Sequence, residues 1–316
     1  MSLESLTELG YETGSEDVFF RAIDNRHWAD EAESSLHMGT EAALDLIETH
    51  AVDPASIDLI IFSSLIGDYI APQSSSGIQY RIGASNATAL SLDTGCASFV
   101  SGIKYGSLLI RSGAFRKVLV ISVSNFAGRA QSKVRNASAT VPGDGAGAIL
   151  LEHSEAGPCC LVGHCEKSYG QHHGIFAIHA MDKDSQPTDV WKPSEGAAFF
   201  FAPGLVETIK ENARVYLPEV MRACLEQAGL GPEDVDVLVT HQPNHFLLDF
   251  WRDAMGIPEH KHLHTLDTYG NLFQASIPVT LCDAVAGEKV KAGDLILMSS
   301  FAFAGELASA VVIRFG

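Results

Sequence analysis

Two stretches of this chain repeat each other at a nearly fixed distance. Pro54-Ala55-Ser56-Ile57-Asp58-Leu59-Ile60-Ile61 runs beside Pro232-Glu233-Asp234-Val235-Asp236-Val237-Leu238-Val239, 178 residues further on. Val118-Leu119-Val120-Ile121-Ser122 runs beside Leu295-Ile296-Leu297-Met298-Ser299, 177 residues further on. Self-similarity in one order at one spacing marks a duplicated unit. Each copy alternates helical stretches with short apolar runs of the kind covered on both faces, which predicts an α/β half with a mainly parallel sheet. The 316 residues divide accordingly into an N-terminal half, 1–155, and a C-terminal half, 156–316, each of ordinary domain size.

The repeat places residues as well as elements. Ser63 corresponds to His241, so His241 falls just past the carboxyl end of a repeated strand. Cys96 corresponds to position 273, within two residues of Asn271, so the two are expected to open equivalent helices. Ligand sites in open α/β sheets lie beyond the carboxyl ends of strands.

Cys96 sits where a short strand, Thr88 to Leu92, turns through Asp93-Thr94-Gly95 into a helix carrying Phe99, Ile103, Gly106 and Ile110 on one face. Free N–H groups and the positive end of the helix dipole then point at its sulfur, which favours the nucleophilic thiolate. A small buried core residue is the plainer alternative. His241 as a satisfied turn histidine and Asn271 as a helix cap are the corresponding alternatives for the other two.

Composition removes several classes of function. The net charge of −18 argues against a nucleic-acid-binding surface and also opposes strongly acidic protein partners. No apolar run reaches the ~18–20 residues of a membrane span, and the acidic start, Met1 to Glu8, is not a secretory signal. Six cysteines, at 96, 159, 160, 165, 224 and 282, show neither zinc spacing nor a small-domain disulfide framework, so a reducing cytoplasm is expected. His172-His173 and the group His260, His262, His264 lack a carboxylate or cysteine at ligand spacing, so no metal is expected. Gly143-Asp144-Gly145-Ala146-Gly147 does not have the spacing of a phosphate-binding loop; its glycines predict a close backbone approach or a tight bend. Phe199-Phe200-Phe201 reads as core packing, with the wall of an acyl tunnel as the alternative.

Taken together, Asp93 to Phe99, Gly143 to Ala148, His241-Gln242-Pro243-Asn244 and Tyr269-Gly270-Asn271, followed by Ala275 to Pro278, resemble the thiolase-fold condensing enzymes, most closely the β-ketoacyl-ACP synthase III family. The resemblance runs from about residue 12 to the C-terminus. It implies two α/β halves packed as a five-layered αβαβα sandwich and, usually, a homodimer. It implies that Cys96 takes an acyl group from an acyl thioester, usually an acyl-CoA, with no cofactor. His241 and Asn271 would hold the thioester oxygen of a malonyl-type extender as it loses carbon dioxide, and the carbanion would attack the acyl-Cys96 thioester. The N–H of Cys96, with a partner near Ala304-Gly305, would form the oxyanion hole, and Asn244 belongs to the same substrate-binding set.

This sequence departs from the family pattern in four places. It leaves little room for an opening strand and hairpin. Val18 or Phe19 stands where fatty-acid members stack a tryptophan on CoA. Phe246 replaces an arginine that docks acyl carrier protein, which with the −18 charge predicts a free CoA thioester, a small molecule or a specialised carrier as second substrate. Phe301-Ala302-Phe303-Ala304-Gly305-Glu306 replaces a glycine-rich loop, and Ala71 replaces a bulky residue that the partner subunit often contributes. Ala71 is expected to enlarge the acyl pocket and Phe303 to reshape it. The leading expectation is decarboxylative condensation in specialised metabolite synthesis. The alternative keeps the acyl-Cys96 and delivers it to a hydroxyl or amine; an inactive partner subunit is a third reading. A hydroxymethylglutaryl-CoA synthase relative is disfavoured, because no glutamate is placed as an acid/base near Cys96.

Overall fold

The computed structural model describes residues 1–13, 19, 21, 23–129, 137–154, 160–184, 186–189, 191–192, 194, 196–199 and 203–316. The expected division at 155/156 lies outside the described residues, as do Val18, Cys159, Phe200 and Phe201.

The first half contains α1 (Leu3–Glu8), α2 (Ser35–Thr49), β1 (Leu59–Ser64), α3 (Ser75–Arg81), β2 (Thr88–Ser91), α4 (Ser98–Arg111), β3 (Lys117–Ser124) and β4 (Gly145–Glu152). The second contains β5 (Leu161–Ser168), an excursion with β6 (Ile178–Met181), β7 (Pro187–Thr188) and β8 (Ala197–Phe199), then α5 (Leu205–Gln227), β9 (Val237–Thr240), α6 (His245–Met255), α7 (Leu266–Tyr269), α8 (Ser276–Ala286), β10 (Leu295–Ala302) and β11 (Leu307–Arg314). The first sheet has the order β2-β1-β3-β4 and the second β5-β11-β10-β9. β1 pairs parallel to β2 and β3, and β9 parallel to β10; β4, β11 and β5 run antiparallel to their neighbours.

Alternation along the strands builds the layers, because successive side chains leave opposite faces. Ile60, Phe62, Leu119, Ile121 and Val123 pack outward under α2 and α3. Leu59, Ile61, Val118 and Val120 point inward and meet Phe99, Val100 and Ile103 of α4, Ile277 and Ala284 of α8, and Val237, Val239, Ile296 and Met298 of the second sheet. Leu238, Leu295, Leu297 and Phe301 point outward onto α5 and α6. Five layers result: α2/α3, sheet, α4/α8, sheet, α5/α6. Strands covered on both faces have no polar side to display, which is why they read as unbroken apolar runs.

From the turn at Pro54 to the start of β3, the offset between the halves is 178. Pro54 matches Pro232, Leu59 matches Val237, Gly95 matches Phe273, Ser98 matches Ser276 and Lys117 matches Leu295. This corrects the placement of Asn271. It does not open a helix; α8 begins at Ser276, and Asn271 matches Asp93, three residues before the nucleophile position. The two side chains make the same turn. Asp93 Oδ1 accepts from Gly95 N–H at 3.0 Å and Asn271 Oδ1 from Phe273 N–H at 2.9 Å.

The glycines of residues 143–147 serve close approach, as expected. A Cβ on Gly143 would lie 2.0 Å from the Tyr269 carbonyl oxygen, and one on Gly147 would lie 2.7 Å from Pro278 Cβ. The backbone of Asn271 is therefore gripped by the first half: its N–H donates to Val141 O and its carbonyl accepts from Gly143 N–H, both at 2.9 Å.

Candidate active site

Cys96, His241 and Asn271 line one cavity, with Phe19, Ser138, Val141, Pro142, Phe176, Phe199, Ile209, Pro243, Leu247, Phe273, Phe301 and Phe303 forming the rest of its wall. Cys96 lies in a short 3-10 turn, Gly95–Ala97, that leads into α4. Gly95 has φ +58°, a conformation that disfavours any side chain, and a Cβ there would sit 2.5 Å from the Phe303 ring. The Cys96 carbonyl accepts from Ser300 Oγ of β10 at 2.8 Å, so the second half fixes the turn from above.

The sulfur is a thiol at rest, contrary to the expected thiolate. Burial pushes Cys96 up to about 12, against the N–H groups of Phe303 and of Cys96 itself, and the Asp93 carboxylate adds to the rise. The helix terminus is present, but an apolar enclosure of phenylalanine rings works against an anion. Burial likewise drives His241 down to about 4, opposed by the carbonyl of Phe273, so the imidazole is neutral at pH 7. His241 follows β9 as expected, its N–H donating to Ser299 O at 2.8 Å. Because Phe273 N–H occupies Asn271 Oδ1, the amide NH2 is the end of that side chain left to serve the cavity.

Other expected positions fall differently. The donor at the sulfur is Phe303 N–H; Gly305 N–H is taken by Ala302 O at 3.1 Å, because the turn Phe303–Glu306 folds back on itself. Phe303 holds φ +51° and Gly305 φ +102°. Phe303 lines the cavity, and its ring meets Phe176 at 6.4 Å. Phe19 is buried at the cavity wall, with Lys210 Nζ 5.6 Å from its ring. Asn244 is a helix cap, Oδ1 accepting from Leu247 N–H at 2.9 Å, and is not part of the wall. Phe246 packs beside α5 with the Arg214 guanidinium 5.3 Å from its ring. Ala71 is exposed and outside the cavity of its own chain.

Phe126 and Phe176 carry no sequence signal for the site. Phe199, for which core packing is the favoured reading and an acyl-tunnel wall the alternative, lines the cavity. It stacks on Phe176 at 4.6 Å and meets Phe126 at 4.8 Å and Phe273 at 5.6 Å, closing the space beyond Cys96 with rings. These residues come from stretches 126 to 273, and no local pattern joins them.

Known proteins match this arrangement. The family described as 3-oxoacyl-[acyl-carrier-protein (ACP)] synthase III matches residues 90–167, and its C-terminal part matches residues 225–315. The β-ketoacyl-[acyl-carrier-protein] synthase III of Brucella suis is 30% identical over 308 residues, covering 96% of this chain and 91% of the relative. The crystal structure of 3-oxoacyl-[acyl-carrier-protein] synthase III from Aquifex aeolicus superposes with TM-score 0.84 at 27% identity, covering 100% of this chain and 95% of that one. The priming β-ketosynthase of a polyketide biosynthetic pathway superposes with TM-score 0.86 at 27% identity, covering 100% and 92%. Duplicated halves with the site between them define the thiolase-like fold. The chain belongs to the β-ketoacyl-ACP synthase III family of condensing enzymes.

Proposed function

We propose that this chain loads an acyl group from an acyl-CoA onto Cys96 and condenses it with a malonyl-type thioester. In the first step Cys96 sulfur attacks the thioester carbon, its proton passes to the departing CoA thiolate, and a new thioester forms. In the second, the malonyl carboxylate leaves as carbon dioxide, and the enolate oxygen is held by His241 and Asn271. The enolate carbon then attacks the acyl-Cys96 carbon, so a carbon–carbon bond forms and the sulfur is released.

One observation carries this reading. The Asn271 carboxamide oxygen is occupied by Phe273 N–H, which leaves an NH2 donor in the same cavity as a neutral His241. A pair of neutral donors suits a developing enolate; simple acyl transfer to an alcohol or amine needs a nucleophile and a base and has no use for the second donor. The Phe126, Phe199 and Phe273 rings bound the space beyond Cys96 and favour a short acyl group over a long chain. Exposed Tyr69, Ile70 and Tyr80 support a second copy of the chain as partner, and the cysteine usage supports a cytoplasmic setting. The polyketide-priming relative supports a role in specialised biosynthesis.

Intact-protein mass spectrometry after incubation with a panel of acyl-CoAs tests the first step, with Cys96→Ala as control. The expected result is a mass gain in the wild type that the control lacks. Carbon dioxide release from malonyl-CoA by the loaded enzyme tests the second. Loading without release, but with transfer to a hydroxyl or amine, would overturn condensation in favour of plain acyl transfer.

A further inference from the structure

Glu166 lies in β5 of the second half, yet its carboxylate is buried against α4 of the first. Ser101 Oγ donates to Oε2 at 2.5 Å, and Ser309 Oγ of β11 to the same oxygen at 3.1 Å. Lys104 Nζ and Tyr105 OH donate to Oε1 at 2.9 and 2.7 Å. Ser101, Lys104 and Tyr105 share one helix face, spaced three and four residues apart. Burial raises the Glu166 pKa, but hydrogen bonds from Ser101, Tyr105 and Lys104 outweigh it and hold the group below the ordinary glutamate value. A carboxylate in the central layer of a protein is costly unless every lone pair is used, and here four donors use them.

The network has a direction. Because Ser101 gives its hydroxyl proton to Glu166, its own lone pairs accept from Thr94 Oγ1 at 3.0 Å. Thr94 precedes Gly95-Cys96, and its N–H donates to Ser98 Oγ at 2.9 Å, which in turn donates to Gly95 O at 2.7 Å. The turn that presents the sulfur is therefore tied by a chain of polarised hydroxyls to one acid in the other half. The equivalent helix has nothing similar: the positions matching Ser101, Lys104 and Tyr105 are Val279, Cys282 and Asp283.

We propose that Glu166 is a positioning residue for the Cys96 turn, acting through Ser101 and Thr94. The proposal rests on the reading of Cys96 as the acyl-bearing nucleophile, and the two fail separately: loss of that reading shows in the wild type, as no adduct. The test is single-turnover acylation by a short acyl-CoA that loads the wild type, followed by quenched mass spectrometry, with kcat, KM and thermal unfolding measured alongside. Glu166→Gln turns an acceptor toward donation and reverses the direction of the Ser101 hydroxyl. Glu166→Gln, Ser101→Ala and Thr94→Val are each expected to slow acylation about tenfold or more, with KM within about twofold of wild type, the size of effect that misplacing a reacting group produces. Tyr105→Phe removes a donor from the same carboxylate but leaves the Ser101–Thr94 arm intact, and is expected to acylate at the wild-type rate. If Tyr105→Phe falls as far as Ser101→Ala, the acid is only a clamp between the halves and the proposal is overturned. Unchanged acylation in Ser101→Ala and Thr94→Val, which are milder than the Glu166 change, overturns it equally.

Discussion

The two halves share one plan and diverge where their chemistry does. At the same left-handed backbone position the first half carries Gly95, φ +58°, and the second carries Phe273, φ +51°. Two residues earlier the first carries an aspartate and the second an asparagine, each accepting one backbone N–H in the same turn. The last two strands are joined by residues 125–144 in the first half and by the four residues Phe303–Glu306 in the second. β11 is flanked by β5, whereas β4 has β3 as its one strand neighbour among the described residues. The duplicated scaffold thus supplies two superposable turns facing one cavity, and small differences in side chain make one a nucleophile mount and the other a donor mount.

The sharpest way to break this comparison is to exchange the two turn residues. Asn271→Asp keeps the shape and the contact with Phe273 N–H but replaces a donor by an anion. Condensation should fall by about a hundredfold to a thousandfold, the usual cost of losing one such donor, while acyl loading of Cys96 persists. Asp93→Asn should keep both activities within a few fold and ease the pH dependence of loading, because Asp93 is among the groups raising the Cys96 pKa. Separate assays of adduct formation and carbon dioxide release read the two outcomes. Loss of loading in Asn271→Asp would show that the halves do not divide the reaction in this way.

A smaller effect is expected from Gly95→Ala. The new Cβ meets the Phe303 ring at 2.5 Å and the backbone stays at positive φ. Together these should cost about 1–3 kcal/mol and slow loading. Phe303→Gly in the same chain should recover part of the loss by removing the clash while leaving the strain. A double-mutant cycle on unfolding free energy measures that coupling. At the matching position the Phe273 ring forms part of the cavity wall.

Much of this was legible in the sequence. The repeat gave the two halves, His241 fell past its strand, and the strand runs were placed within a few residues, because alternation with both faces covered leaves a clear apolar signature. Other features depend on enclosure. No local pattern shows that Phe126, Phe199, Phe273 and Phe303 converge on Cys96, so the helix dipole was expected to win where burial does. A phenylalanine at positive φ gives no sequence signal, so the resemblance points to the backbone near Ala304-Gly305 for the oxyanion hole, whereas Gly305 N–H is taken by Ala302 O and Phe303 N–H is the one beside Cys96. Glu166 was invisible because its helix partners stand more than sixty residues away. The Asx turn at Asn271 was within reach: an offset of 178 applied without slack pairs it with Asp93.

Acid should separate the halves more gently. Burial holds His241 near 4, and His262, buried and bonded to Thr240 Oγ1 at 3.1 Å, near 3. Both take up protons on unfolding between the ordinary histidine pKa of about 6.5 and these values, so the second half loses stability as pH falls through that window. Asp144 of the first half goes the other way. Burial raises it to about 6 despite N–H donors from Gly128, Ala29 and Ala127, so the folded state holds its proton more tightly and gains as pH falls from about 6 toward 4. Hydrogen exchange referenced to unfolded-chain rates at pH 7 and 4.5 should show the protection of β9 and α6 falling relative to β3. The same neutrality of His241 keeps condensation active at pH 5; an acid limb centred near 6.5 would contradict it.

The smallest expected difference lies at the sheet edges. β11 is buried over Ala308–Val312 and bonded on both sides, to β10 and to β5. β4 has no fully buried residue and pairs with β3 along Gly145–Glu152. In an antiparallel ladder, alternate N–H groups point to opposite neighbours, so half the β4 amides face away from β3. Those amides should exchange faster than their neighbours in an alternating pattern, whereas β11 should be protected throughout its length. Uniform protection of β4 in solution would mean that its outer edge is covered, and that the first half completes its sheet with a strand placed like β5. In that case the open edge would drop out of the comparison, and the difference between the halves would reduce to their turns and to the length of the connection between their last two strands.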